Sequence, residues 1–327
     1  MRVPTKRTAA AFLLALSVVP VAGCGGSDDS TVTTASAPSA SSFPDPDGRT
    51  IPKLTASYPV DNNLVVAPSG TSFSVGKNRF GFGVFQVDHT QVGDADVALY
   101  AAPASGGPAQ GPFPARVESL ATDAKYTAQT TANDPDAAQD VYVTEIDFKK
   151  PGEWRFVALV RGADGKLSSA TLAGPVIVKE HDAIPEVGDK APVIHTPTVD
   201  DVANVSQIDT RVPPDTMHQV DFADVVGKEP VVLLFATPAL CQSRVCGPVV
   251  DVAEQVKAER PDAAAFIHME IWNDNNPSKG PRPQVRAYHL RTEPWLFVID
   301  RDGTISTRIE GAFSVDELNA ALDKVSD

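Results

Sequence analysis

Residues 231–257 read VVLLFATPALCQSRVCGPVVDVAEQVK, and few arrangements accommodate that order of residue types. Val231–Phe235 is a short, continuous apolar run rich in β-branched residues, the composition of a strand buried on both faces. Pro238 follows, and a residue without an N–H cannot extend a ladder, so the strand ends near Thr237 and delivers the chain to Cys241 and Cys246. Beyond the cysteines, Val245, Val249, Val252, Ala253 and Val256 recur at the spacing of one helix face, with Asp251, Glu254, Gln255 and Lys257 on the other. A helix therefore starts beside the thiols. Its N-terminus carries partial positive charge, which favours thiolate over thiol. Strand, cysteine pair and amphipathic helix make a redox-site layout. The pair reads as a redox-active dithiol, with a static disulfide and a metal site as the other uses of such thiols.

The N-terminal end says where such a pair would work. Arg2, Lys6 and Arg7 precede an uncharged apolar segment over 9–22 and then Gly23-Cys24; the segment is too short to span a bilayer and reads as a secretory signal, residues 1–23. Val21-Ala22-Gly23-Cys24 resembles the bacterial lipobox, which implies that Cys24 is acylated and anchors the mature chain to the outer face of the cytoplasmic membrane. Residues 1–23 hold three basic and no acidic residues, so their removal takes the formal charge from −14 to −17. A chain this acidic is a poor partner for a phosphate backbone, and nucleic acid is excluded on that ground. Of the three cysteines in the sequence, acylation of Cys24 leaves one pair, in an oxidising compartment.

Residues 24–53 are rich in Ser, Thr, Ala, Pro and Gly and read as a flexible tether. Over 54–180 the texture changes to short alternating segments, at 79–85, 97–100, 141–148 and 154–160, punctuated by the turn signals Pro151-Gly152 and Asp164-Gly165. That pattern predicts an all-β, immunoglobulin-like sandwich without the paired cysteines of antibody domains, serving as a spacer or docking module. Asp88 and His89 form the one candidate ligand pair in it, and a lone histidine at a turn reads first as surface structure.

Residues 186–327 form the second domain. A short helix is expected over 221–227, then the central strand and cysteine helix, a second buried strand over 263–271, a short helix over 285–290, strands over 295–300 and 304–310 joined by Asp302-Gly303, and a last helix. Ser314 and Glu317 make a Ser-x-x-Glu capping box for that helix, with Val315, Leu318, Ala321, Leu322 and Val325 on its buried face. Residues 196–216 show no clean period.

The resulting order, β-α-β-α-β-β-α, resembles the thioredoxin superfamily. Gly188-Asp189-Lys190-Ala191-Pro192 is similar to the opening of its peroxiredoxin and membrane-anchored members, and Glu293-Pro294 stands where the superfamily places a cis-proline facing its active site. The resemblance implies an α/β thioredoxin-like domain in which Cys241 and Cys246 are catalytic, Pro294 and Glu293 shape a substrate groove, and no cofactor or metal is required. The four-residue spacer between the cysteines is similar to that of atypical two-cysteine peroxiredoxins, whose signature proline and threonine positions are here Leu234 and Pro238. Copper chaperones of the same fold use a Cys-x-x-x-Cys pair and a distant histidine, a place His268 or His289 would take. The expected function is thus a lipid-anchored extracytoplasmic thiol-disulfide oxidoreductase acting on protein thiols and disulfides, with thiol peroxidase or copper chaperone as alternatives. In one regular helix the two Cα atoms would lie about 8–9 Å apart. A disulfide needs less than about 7 Å, so pairing would require the first turn to unwind, a step Pro248 makes easier.

Overall fold

The computed structural model describes residues 1, 35–172 and 174–325; Cys24 and nearly all of the expected signal segment lie outside them. Among the described residues no helix is long and apolar enough to cross a membrane.

The first half folds into two facing sheets. One has the order β1-β3-β7-β6, built from β1 (Leu64–Pro68), β3 (Gly76–Gln86), β6 (Arg116–Ser119) and β7 (Asp140–Phe148). The other runs β2-β10-β8-β4-β5, from β2 (Phe73–Ser74), β4 (Val97–Pro103), β5 (Gln110–Pro114), β8 (Gly152–Arg161) and β10 (Val176–Lys179), with β9 (Leu167–Thr171) also beside β8. Alternation along each strand sends Phe80, Phe82, Tyr142 and Phe148 of the first sheet into one core with Leu99, Trp154 and Phe156 of the second. Phe80 and Phe156 stack across the gap with ring centroids 4.9 Å apart. At the Asp164-Gly165 turn Gly165 takes φ +78° and the Asp164 carboxylate accepts the Lys166 amide. Asp88 does the same for Thr90 beside His89, so that pair closes a turn and builds no ligand site.

The tether is shorter than its composition suggests. Phe43 and Leu54, the latter in α1 (Ile51–Thr55), are buried against Ala98, Tyr100, Val157 and Leu159 on the outer face of the second sheet. Phe43, with Ile51 partly buried beside it, is enough to dock the segment next to Leu54, which average composition conceals.

In the second half, α3 (Phe222–Val225) leads into β11 (Val231–Phe235), α4 (Cys246–Glu259), β12 (Ala265–Met269), α5 (Pro283–Ala287), β13 (Trp295–Ile299), β14 (Ile305–Glu310) and α6 (Val315–Asp323). The sheet order is β12-β11-β13-β14, with β11 and β12 parallel and the remaining pairs antiparallel. This is a thioredoxin-like region. Val231–Phe235 is buried at every position because helices cover both faces, which explains why it reads as a continuous apolar run.

Both halves belong to one compact unit, Val32–Asp327, and are extensively joined. Leu120, Val141 and Val143 of the first half share an apolar cluster with Ala312, and Val245 packs against it. Polar links flank the cluster. The Ser314 hydroxyl accepts the Glu317 amide, as a helix cap should, and donates to Glu118 at 2.6 Å. The expected capping box is only half formed, because the Glu317 carboxylate turns outward to Arg79 (2.7 Å) and Arg116 (2.9 Å) across the interface. Burial works against its ionisation, yet the two guanidinium groups hold the Glu317 carboxyl below its ordinary range. The polar face expected on α4 is likewise covered. Asp251 and Gln255 are buried, Asp251 paired with Arg211 at 2.8 Å and accepting the Ala128 amide, Gln255 accepting that of Asp123.

Candidate functional site

β11 ends at Phe235, and the chain then crosses Thr237 and Pro238 to reach Cys241 in an irregular turn; α4 begins at Cys246. Cys241 and Cys246 form a disulfide with Cα atoms 5.9 Å apart. In this bonded state the two residues do not share a regular helix, and 241–245 form an irregular turn. Pro248 falls in the first turn of α4, where a missing N–H costs nothing. The change of direction between the cysteines is made at Arg244, whose φ is +62°.

The two sulfurs are unequally placed. Cys246 is fully buried in the core cluster beneath α4, whereas Cys241 is only partly buried. The Cys241 sulfur lies 3.2 Å from the Ser243 hydroxyl, which reaches the carbonyl of Glu293 at 3.5 Å. Glu293-Pro294 is a cis peptide bond directly before β13, and the Pro294 carbonyl accepts the Gly311 amide. The structure thus brings Cys241, Cys246, Glu293 and Pro294 to one end of the sheet, with Ser243 as an intermediary that sequence reasoning passed over. Burial pushes the Glu293 carboxyl above its usual range. Trp295 is core, stacked on Phe297.

The first half of the chain closes over this turn. Between β6 and β7 the chain makes α2 (Gln129–Ala132), and Thr131 sits so close to Gly247 that a Cβ there would come within 2.8 Å of its hydroxyl. The Ala138 amide donates to the Arg244 carbonyl, while the Arg244 side chain pairs with Asp134. Arg244 therefore spends its charge on the loop. Between loop and turn lies a cleft of about 350 Å³ lined by Thr131, Asp134, Pro238, Cys241, Arg244 and Gly247. A larger cleft of about 730 Å³ follows β3, β14 and α6, but its Arg79, Arg116, Glu310 and Glu317 already make cross-interface bonds, which makes it a seam between the halves.

A second cluster of chemically capable residues lies outside the cysteine turn. His268, on β12, has Nδ1 2.7 Å from Asp215 and Nε2 3.2 Å from the Ala236 carbonyl. Burial opposes its charged form, but the Asp215 carboxylate outweighs it and pushes His268 up to about 10. Asp215, Asp209 and His218 come from the aperiodic stretch before α3. His289, the other histidine named as a copper ligand, stands in a turn after α5 with φ +57°.

No protein-family model matches the chain. No curated protein matches it either. Among solved structures, the chain is similar to a candidate thiol:disulfide interchange protein DsbE from Chlorobium tepidum, at 20% identity and TM-score 0.29 over 42% of this chain and 99% of that one. A thioredoxin-family thiol:disulfide interchange protein from Chlorobium tepidum TLS matches at 21% identity and TM-score 0.29, over 45% and 100%. The CARDB domain of a Pyrococcus furiosus protein matches at 12% identity and TM-score 0.18, over 36% and 96%. At such TM-scores these likenesses bear no weight, and the thioredoxin-like reading rests on strand order and the placement of Pro294.

Proposed function

We propose that the protein is a lipid-anchored, extracytoplasmic thiol-disulfide oxidoreductase whose first half is an immunoglobulin-like module docked over the reactive turn. The observation that carries this reading is the unequal burial of a disulfide whose inner sulfur starts a helix. A substrate thiolate attacks Cys241, the reachable sulfur, and breaks the Cys241–Cys246 bond. Cys246 leaves as a thiolate at the first residue of α4, where unsatisfied amides and the helix dipole stabilise negative charge. A second substrate thiol then displaces Cys241, so the substrate gains a disulfide as the protein gains two thiols; the reverse sequence reduces a substrate. Glu293 and Pro294, linked to Cys241 through Ser243, would contact the substrate beside the attacked sulfur, and no cofactor enters either step. No observation favours peroxide as substrate, since Leu234 and Pro238 hold the signature positions of the peroxidases.

Cys246→Ser tests the mechanism. Exposed to oxidised glutathione, this variant should form a mixed disulfide through Cys241, and the wild-type bridge should open in glutathione buffer without denaturant. A bridge that opens only after unfolding would mark a static staple. The anchor rests on Val21-Ala22-Gly23-Cys24, and fatty-acid labelling that persists in Cys24→Ser would end it.

A further inference from the structure

We propose that Asp209, Asp215, His218 and His268 form a buried binding site for a divalent cation of the zinc class, separate from the cysteines. One ligand atom from each of the four lies within 4.8 Å of the others, and all four residues are buried. Two independent features point to a bound ion. The first is His218: neither ring nitrogen has a hydrogen-bond partner, although the residue is 1% exposed. A buried imidazole with both nitrogens unserved is costly unless something else serves one of them. The second is spacing. His218 Nε2 lies 3.6 Å from an Asp209 oxygen and 3.5 Å from an Asp215 oxygen, beyond hydrogen-bond reach. Two ligands on a tetrahedral ion with bonds of about 2.05 Å lie about 3.3 Å apart, so a small contraction would seat all three atoms on one centre.

The remaining coordination follows from the local bonds. His268 Nδ1 is the fourth donor: it would give up its proton and move from the second Asp215 oxygen, now 2.7 Å away, towards the same ion. The carboxylates are already oriented by main-chain donors: Asp209 accepts the amides of Arg211 and Asp215, and Asp215 accepts that of Met217. Such outer contacts are what hold ligating carboxylates in place. Two carboxylates and two neutral imidazoles around a divalent ion leave no net charge in the dry interior. Nitrogen and oxygen donors in this ratio suit zinc(II) and disfavour calcium, which takes six or more oxygens. Because His268 also faces the Ala236 carbonyl, the ion would brace the segment that carries the chain from β11 to Cys241.

The full-length Cys241→Ser/Cys246→Ser protein, which has no thiol pair, provides the test. After growth with zinc(II) and dialysis it should retain about one equivalent of zinc, and exchange with cobalt(II) should give the visible bands of tetrahedral nitrogen and oxygen ligation without a sulfur charge-transfer band. His218→Gln should weaken binding at least about tenfold. Should that variant fail to fold, the thermal midpoint of the wild-type protein decides, falling with chelator and recovering with zinc(II). Absence of retained metal together with a chelator-insensitive midpoint would overturn the proposal and leave the cluster held by protons alone, as would metal binding undiminished in a folded His218→Gln.

Discussion

Arg244, the residue that turns the chain between the two cysteines, reaches out of its own domain and places Nη1 2.9 Å from the carboxylate of Asp134. Its backbone carbonyl is held as well, by the Ala138 amide. The disulfide turn is therefore fixed from outside by the loop of the β-rich half. In a chain with separate, linked domains such a turn would be free to rearrange on reduction. Here any rearrangement of the turn on reduction has to break or strain contacts to residues 134–138.

That clamp predicts a rate effect with little stability cost. Asp134→Asn keeps the side chain's shape and its acceptor for the Asp136 amide but removes the charge facing Arg244. The pair is about half exposed on the arginine side, so equilibrium unfolding should change by no more than about 1 kcal/mol. Opening of the Cys241–Cys246 bond by glutathione, followed by acid quench and thiol labelling, should be several-fold faster. An unchanged rate would mean that the loop does not gate the turn.

The burial difference between the sulfurs predicts an order of reactivity. In the reduced protein Cys241 should alkylate with iodoacetamide at least about tenfold faster than Cys246, because a thiol sealed in the core reacts only when its surroundings open. Peptide mapping after a short pulse reads the ratio. Faster labelling of Cys246 would reverse the roles assigned to the two residues.

Glu317 predicts how firmly the halves are joined. Its carboxylate is almost fully buried and serves two guanidinium groups from β3 and β6. Glu317→Gln leaves Arg79 and Arg116 facing an uncharged amide, and removing one partner from a buried charge cluster costs about 2–4 kcal/mol. Urea unfolding should show that loss. A cost below about 0.5 kcal/mol would place Glu317 with ordinary surface ion pairs.

The sequence disclosed the second half far better than the first, for physical reasons. Val231–Phe235, the helix after the cysteines and the hairpin at Asp302-Gly303 each carry a local signal, period or turn chemistry, that tertiary contacts do not override. β1, β5 and β10 are short or proline-bearing, and only pairing with distant neighbours makes them strands. The interface was hidden for a related reason. Asp251 and Gln255 read as the polar face of a helix, and Glu317 as a helix cap, because nothing local indicates that another domain will cover them. Asp209 and Asp215 sit in residues 196–216 and His218 just beyond them, where the fold comes from aspartates capping nearby amides and no periodicity exists to be read. The cysteines and Pro294 were legible as a site, while Ser243 and the covering loop emerged only with the three-dimensional arrangement.

Asp140, at the start of β7 beside the interface, predicts a pH dependence. Burial raises its carboxyl to about 6 from 3.8, with the Gln91 hydrogen bond opposing the shift and Asp94 adding to it. Because the folded value lies above the unfolded one, folding favours the protonated form. The corresponding stability is fully present below about pH 4 and is lost as pH rises through 6. At 1.36 kcal/mol per unit the full loss is about 2–3 kcal/mol. Asp140→Asn keeps an acceptor for Gln91 Nε2 and has no proton to lose, so it should be the more stable protein at pH 7 by about 1–2 kcal/mol. Its stability between pH 4 and 6 should also be flatter than that of the wild type. Urea midpoints across that range for the two proteins make the comparison, with the exposed Asp136→Asn as a control for net charge. Parallel profiles for Asp140→Asn and wild type would show that Asp140 titrates at its ordinary value and that water reaches the β6–β7 edge.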